Sequence, residues 1–397
     1  MKGIEVTNPG IEKQVADWLA QQGLEVYLVG GTVRDQLLNR QVHDLDVAVA
    51  GDGLALARRL ADRFRGAYYP LDEVRSTGRA ILRGGGGRRF TVDIAAFRGA
   101  DLIADLLDRD FTINALAVDV LAPEHVIDHH GGIADLEARL IRPVSDDTIR
   151  NDPLRALRAV RQSGELRFAL APETKNLIRR DGAALSQVAG ERIRDEVARL
   201  LSLDFAAGYL QQLDDLALLA TMVPELEPLR HLVQPPPHKW DALTHSFKTV
   251  SALEEILARL RANVGAQNQD GVREEGSRSQ PFANGWADES PAGLDELDSF
   301  AEQIVAHVGQ SLGADRTRLV TLKLAALLHD TGKPGVRSVD GGGRIRFIDH
   351  QREGVRITGD VLRRLRFNRV EVHLGRSVVR HHMRPLLLAS QESVSRR

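Results

Sequence analysis

Along the first 140 residues the apolar positions switch between two periods. "IEKQVADWLAQQG" carries its apolar residues at helical spacing and runs out at Gly23, which predicts a helix. "EVYLVGG" is a short apolar run of the kind that forms a buried strand, "TVRDQLL" starts a helix, and "DLDVAVA" reads as a second strand. "GRAILRGGGGRRFTVDIAAF" predicts a hairpin, two β-rich runs flanking a glycine tip. From about 141 to 235 the periodic segments "DPLRALRAVRQSG", "ETKNLIRRDG", "GERIRDEVARLLS" and "AAGYLQQLDDLALLATMVPEL" are all helical, and "VQPPPHKW" breaks the run near 234. A third, helical unit follows. It is interrupted between about 264 and 295 by a stretch poor in aliphatics and rich in Gly, Ser, Asn and charge, which predicts a disordered insertion. The expected class is therefore α+β: a mixed-sheet unit over 1–140, a helical unit over 141–235 and a second helical unit over 236–397. There is no internal repeat.

Composition changes this picture in three respects. The 397 residues, 43% of them hydrophobic, are enough for two or three domains with sizeable cores. No run approaches the ~18 apolar residues of a membrane span, and "MKGIEVTNPG" lacks the apolar core of a signal peptide, so the expected compartment is the cytoplasm. The chain has no Cys, which leaves His, Asp and Glu as the ligands for any metal. The formal net charge is only −2. Residues 150–200 nevertheless hold ten Arg and one Lys against seven acidic residues, and this excess reads either as a solvated helix face or as a surface that meets phosphate.

The stretch "YLVGGTVRDQLLNRQVHDLDVAV" concentrates the candidate chemistry. In "DLDVAV" the strand period places Asp44 and Asp46 on one face, where two carboxylates repel each other unless a divalent cation sits beside them. Mg²⁺ suits such a pair, because it takes a few carboxylates together with waters and phosphate oxygens. Gly30 and Gly31 end a strand just before a helix, so a phosphate can approach their amides with no Cβ in the way, and Arg34 sits one turn further on. Taken alone, each feature is ordinary: an acidic strand end, a tight turn, a surface arginine. Together they describe a triphosphate site.

"LVGGTVRD" followed by "DLDVAV" resembles the signature of the class II tRNA nucleotidyltransferases, the CCA-adding enzymes and bacterial poly(A) polymerases of the DNA polymerase β superfamily. "RDFTINALAVDV", "NDPLRALRAVR" and "ERIRDEV" then follow in that family's order. The resemblance implies a nucleotidyltransferase head followed by a helical neck and body. It also implies template-independent addition of C and/or A to a tRNA or other RNA 3′ end, with ATP and CTP as substrates, by two-metal phosphoryl transfer that releases pyrophosphate. Variants that add only CC, only A or poly(A) share the same motifs. In this reading Asp44 and Asp46 hold Mg²⁺, Asp93 of "FTVDIAAF" is a third carboxylate, and Gly30, Gly31, Arg34, Arg109, Asp110, Asn114 and Arg158 contact the nucleotide. Family members usually have a second Arg just before Arg109, where this chain has Asp108. Asp152 and Arg155, three apart on a helix face, offer one acceptor and one donor set that suit the amino-bearing edges of C and A and reject U and G. With Pro153 at the first helical position, Asp152 is also placed to cap that helix.

The third unit supplies His245, His329, Asp330, His350, His381 and His382 from "ALTHSF", "LLHDTGKP", "FIDHQREG" and "VVRHHMRP". Their order resembles the HD superfamily of metal-dependent phosphohydrolases. That likeness implies a divalent metal (Mn, Ni, Fe or Mg) and a second reading, hydrolysis of phosphates at RNA ends or on nucleotides. HD domains usually add a further Asp from a late helix, whereas this chain has no Asp after Asp360, which suggests a truncated domain. The motifs do not specify an oligomeric state.

Overall fold

The computed structural model describes residues 10–42, 44–84, 89–236, 238–267, 295–314 and 316–385. Contacts divide the chain into two compact units, residues 1–184 and 185–397. In the first, α1 (Ile11–Ala20) ends before Gly23, whose φ of +66° suits a residue without a Cβ. Then come β1 (Val26–Val29), α2 (Gly31–Leu37), β2 (Asp44–Val49), α3 (Gly53–Arg63), β3 (Ala67–Asp72), β4 (Thr77–Arg83), β5 (Arg89–Ala96), α4 (Leu102–Leu107), β6 (Leu116–Asp119), β7 (Val126–Asp128) and α5 (Gly132–Glu137). The seven strands lie in the order β3-β4-β5-β2-β1-β6-β7. β2 and β5 run parallel, and every other pair in this sheet is antiparallel. The sheet is therefore mixed, as the alternation of periods predicts. The glycine tip expected between β4 and β5 falls at 85–88, outside the described residues.

The central strands are buried through their aliphatic positions: Leu45, Val47 and Val49 of β2, Val92 and Ile94 of β5, and Leu28 of β1. These side chains alternate with the polar residues that form the site. Burial on one face thus fixes the register, since a slip of one residue would turn the site residues into the core.

The first part of the segment after the sheet packs with the first unit. β8 (Leu140–Ile141) is joined by β9 (Ala169–Leu170) in a short parallel pair, and Thr174 Oγ1 donates to Ile141 O at 2.7 Å. These contacts tie α6 (Thr148–Asn151), α7 (Leu154–Leu166) and α8 (Pro172–Asp181) to the first unit, and for that reason the division falls after Ala184 rather than near 140.

The second unit contains α9 (Gly190–Leu201), α10 (Ala206–Asp215), α11 (Leu218–Met222), α12 (Ala242–Gln267), α13 (Asp295–Asp298), α14 (Ala301–Val308), α15 (Arg318–Leu328), α16 (His350–Arg364) and α17 (Arg369–His381). The interruption expected from 264 begins later, because α12 continues to Gln267; the rest of that stretch, to 294, lies outside the described residues. α16 and α17 pack closely where α17 carries Gly375: a Cβ there would stand 2.7 Å from Leu362 Cδ1. No helix among the described residues is long and apolar enough to cross a membrane.

A buried charge network fixes three of these helices. Glu254 of α12 accepts from Ala206 N and Ala207 N, at 2.7 and 3.2 Å, and so satisfies free amides at the start of α10. It also pairs at 2.7 Å with Lys323 of α15, whose Nζ donates to Leu203 O at 2.6 Å. Burial pushes the Glu254 carboxyl up and the Lys323 ammonium down, so each charge persists only because the other faces it. Lys323→Ala should therefore cost about 3–5 kcal/mol of stability in urea denaturation, the typical result of orphaning a buried charge. The double variant Lys323→Met with Glu254→Gln should recover more than half of that loss.

Candidate active site

The sheet register assembles the first site. Asp46 of β2 pairs with Asp93 of β5, and Asp93 pairs in turn with Arg79 of β4. All three share one row across the sheet. Arg79 clamps Asp93 through two parallel bonds of 2.7 Å, leaving Asp46 to face its neighbours' charge. Burial first, then the Asp93 carboxylate, pushes the Asp46 carboxyl up to about 6. Asp44, one pleat along, is exposed. α2 is fastened to this strand by Thr32, whose Oγ1 accepts from Asp46 N at 2.7 Å and donates to Asp44 O at 3.3 Å.

The glycine turn lies against the same carboxylate. Gly30 has φ +66°, and a Cβ on it would sit 2.9 Å from Arg109 Nη1 and 3.6 Å from Asp46 Oδ2. Only glycine meets both the backbone and the space requirement. Arg109 is oriented by the buried Asp105, whose Oδ2 receives Nε at 3.1 Å and Nη2 at 2.8 Å. On the other side, Arg34 donates to Asn114 Oδ1 at 2.7 Å and to both oxygens of Asp35.

Asn114 links this arginine to α7. Its Nδ2 donates to Asp110 Oδ1 and to Gln162 Oε1, each at 2.9 Å, and Arg158 Nε donates to Asp110 Oδ2 at 2.9 Å. Burial alone would raise the Asp110 carboxyl. The Arg158 guanidinium, the Asn114 amide and the Phe111 N–H outweigh it and hold it at about 2. The Thr112 hydroxyl donates to Asp135 at 2.7 Å.

The pair Asp152 and Arg155 is arranged differently from its helix spacing. α7 begins at Leu154, with Pro153 rather than Asp152 in the cap position, and the Asp152 carboxylate accepts from Leu154 N at 3.2 Å. Arg155 is buried, and its guanidinium donates to Asp108 O at 2.5 Å and Thr148 O at 3.3 Å. It points into the protein because two carbonyls at the ends of α4 and α6 need donors. Asp108, the departure from the usual Arg, also receives Arg98 on its carbonyl at 3.3 Å, and its carboxylate stands 3.5 Å from Arg98 and 3.9 Å from Arg155.

A second constellation lies in the other unit. The groups of three or more ligand atoms lying within 4.8 Å of one another, among the described residues, are His245–His329–Asp330 and Asp330–His350–His382. His329, His350 and His382 each hold Nδ1 at 2.8 Å from the carbonyl three residues back, Ala326, Phe347 and Val379 respectively. That contact places the proton on Nδ1 and leaves Nε2 as a lone pair facing the cluster, the tautomer a metal takes. The Nε2 atoms of His350 and His382 stand only 3.1 Å apart. Burial lowers His245 and His382 to about 4 and also lowers His350, so these rings stay neutral at ordinary pH. Burial would raise Asp330, but the Lys333 ammonium, which donates to it at 2.6 Å, holds it well below the usual carboxylate range. His381 is exposed and belongs to neither group.

Several participants were not singled out from the sequence. Asp105 stands four residues before Arg109 and Gln162 four after Arg158, spacings that a helix reading could have used. Arg79 has no such local signal, since only strand register brings it to Asp93. In the second unit Lys333 donates to Asp330 at 2.6 Å and to Gln234, and His238 stacks edge-on against His245 with centroids 5.0 Å apart.

Known proteins resemble this chain. The chain matches family models described as "Poly A polymerase head domain" over 26–142, "Probable RNA and SrmB- binding site of polymerase A" over 167–229 and "HD domain" over 300–395. It is 42% identical over 196 residues to a CC-adding tRNA nucleotidyltransferase of Geobacter sulfurreducens, covering 49% of this chain and 45% of that protein. An A-adding tRNA nucleotidyltransferase of Deinococcus radiodurans is 32% identical over 362 residues, 90% of this chain and 68% of the relative. The chain thus spans about half the length of several curated relatives it matches. Among solved structures, a tRNA-processing enzyme with CTP superposes with a TM-score of 0.56 at 20% identity, covering 96% of this chain and 93% of that one. A tRNA nucleotidyltransferase complexed with a primer tRNA and an incoming ATP analog gives 0.51 at 23% identity, covering 79% and 93%. These likenesses show the fold.

The raised Asp46 carboxyl has a consequence for stability. Because its folded pKa lies above the unfolded value, the folded state binds the extra proton, and stability is lost as pH rises from about 4 to about 6. In metal-free buffer Asp46→Asn should match the wild type near pH 4 and exceed it by roughly 1–3 kcal/mol at pH 8. Thermal melting in EDTA at the two pH values checks this.

Proposed function

This chain belongs to the tRNA nucleotidyltransferase family, and from that premise we propose that it adds C, A or both to tRNA 3′ ends without a nucleic-acid template, releasing pyrophosphate from CTP or ATP. The observation that carries the reading is the row Asp46–Asp93–Arg79 beside the Gly30–Gly31 turn. The donor set suits a hard cation, since a carboxyl raised by burial and by a second carboxylate is relieved by positive charge. Asp44 and Asp46 would hold Mg²⁺, with Asp93 adjoining. When bound, the ion lowers the pKa of the primer hydroxyl and compensates charge on the transferred phosphoryl.

The protein's own groups do the rest of the work in this reading. Gly30 and Gly31 let the triphosphate approach the backbone, and Arg34 and Arg109, each held by a carboxylate, supply forks for its oxygens. Asn114 and Asp110 set the Arg158 guanidinium at the nucleotide. Asp152 accepts from the exocyclic amino group of C or A, a site where U and G present an oxygen. Arg155 anchors the first turn of α7 so that this carboxylate is positioned.

A second activity is favoured by the three Nε2-facing histidines around Asp330, which fit one divalent transition metal and metal-dependent phosphohydrolysis. His381 is left out of this proposal.

Two outcomes are expected. Asp44→Ala and Asp46→Ala should each reduce nucleotide incorporation into tRNA by more than several hundred-fold while melting as cooperatively as the wild type. Normal incorporation by a folded Asp46→Ala variant would remove the proposed mechanism. Metal content after dialysis should fall from about one transition ion per chain to none in the double variant His329→Ala with Asp330→Ala, as measured by elemental analysis. Equal content in the two preparations would leave the second unit as a scaffold.

A further inference from the structure

α17 carries Arg369, His373, Arg376 and Arg380, spaced four, three and four residues apart, so they form one stripe along the helix. All four are exposed, while Glu371, Gly375 and Val379 bury the opposite face. Where the stripe meets the end of α16, a cavity of about 340 Å³ opens, lined by Arg363, Phe367, Arg369, Val372, His373 and Arg376. It has no acidic lining residue. Phe367 forms an apolar wall, covered by the Arg316 guanidinium 5.9 Å from its ring centre.

The cations here are gathered rather than spread. Arg376 lies flat over Gly359 of α16: a Cβ on that glycine would stand 3.1 Å from Arg376 Cδ and 3.4 Å from both Arg376 Nε and Arg363 Nη2. The two guanidinium groups therefore share the space that one side chain would fill. Arg363 is partly neutralised by Asp360, at 2.6 Å, and Asp360 also serves Arg356 at 3.0 Å. Arg369 and Arg376 have no carboxylate partner among the described residues. Most arginines of this unit do have one, as Arg316, Arg364 and Arg356 show. Like charges brought together with Asp360 pairing Arg363 alone among the lining arginines, around a concavity of nucleotide size, match an anionic ligand. Arginine forks suit phosphate oxygens in particular.

We propose that this cavity is a binding subsite for a phosphodiester of the RNA substrate, with Arg369 and Arg376 contacting successive phosphates. The proposal rests on the reading of the chain as a tRNA nucleotidyltransferase, and it assigns RNA contact to the second unit independently of the residues that handle the nucleotide. Each neutralised phosphate releases counterions, so two contacts steepen the dependence of log affinity on log salt by about 1.4–1.8.

The test is direct tRNA binding, followed by fluorescence anisotropy between 50 and 200 mM salt with no nucleotide present. Compared with the wild type, the double variant Arg369→Gln with Arg376→Gln should show a salt slope shallower by about 1.4–1.8, and its affinity deficit should shrink roughly tenfold across that range. Arg352→Gln with Arg356→Gln, which removes the same charge elsewhere on α16, should change the slope by less than half as much. Gly359→Ala should weaken binding by displacing Arg376. Equal slopes for the cavity variant and the wild type, or equal effects of the two double variants, would overturn the proposal. If the wild type bound tRNA but incorporated no nucleotide, the catalytic reading would fail while the slope comparison still decided this one.

Discussion

The sheet unit depends on one enforced repulsion. Asp46 and Asp93 occupy paired positions on the only parallel strand pair of the seven-stranded sheet, and the buried aliphatic residues between them and along their strands prevent either strand from slipping. The charge is managed around them: Arg79 takes Asp93 from one side, while Arg109 and Arg34 lower Asp46 from the other without cancelling the effect of burial. In the proposed reading, a site with this residual imbalance is prepared for cations before any arrive. It then needs little rearrangement when charge develops, which is where electrostatic catalysis draws most of its strength.

The second unit applies the same principle to lone pairs. Three imidazoles are locked by their own helix-end carbonyls into the tautomer that points Nε2 inward, and two of those nitrogens face each other at 3.1 Å. Such an arrangement is satisfied by a cation or by a shared proton, and burial disfavours the proton by depressing the ring pKa values. Lys333 supplies part of the missing positive charge to Asp330. In both units the helices and strands that hold these groups are stabilised elsewhere, by aliphatic cores and by satisfied pairs such as Glu254 with Lys323.

Much of this was legible in the chain. The strand period puts Asp44 and Asp46 on one face, the glycines mark the turn, and four ordered motifs carry the likeness to the family. What escaped were relationships set by register and tertiary packing. No local pattern reveals that Arg79 will lie opposite Asp93, or that Asp108 will receive Arg155 and Arg98 on its carbonyl. Helix spacing put Asp152 and Arg155 on one face to read a base together, whereas the Arg155 guanidinium is buried on carbonyls of other elements. By contacts α6 to α8 group with the sheet unit, through a two-residue strand pair too short to give a periodic signal.

The central claim is that one protein site selects C or A and attaches it to a tRNA end with no template. It is tested most directly by supplying each nucleotide separately to tRNAs that end at the discriminator base, in C and in CC. The account predicts that CTP, ATP or both are incorporated, each only on the ends that call for it, while UTP and GTP are rejected at least tenfold. Incorporation of all four nucleotides at similar rates, or release of phosphate from the RNA end with no incorporation, would contradict it.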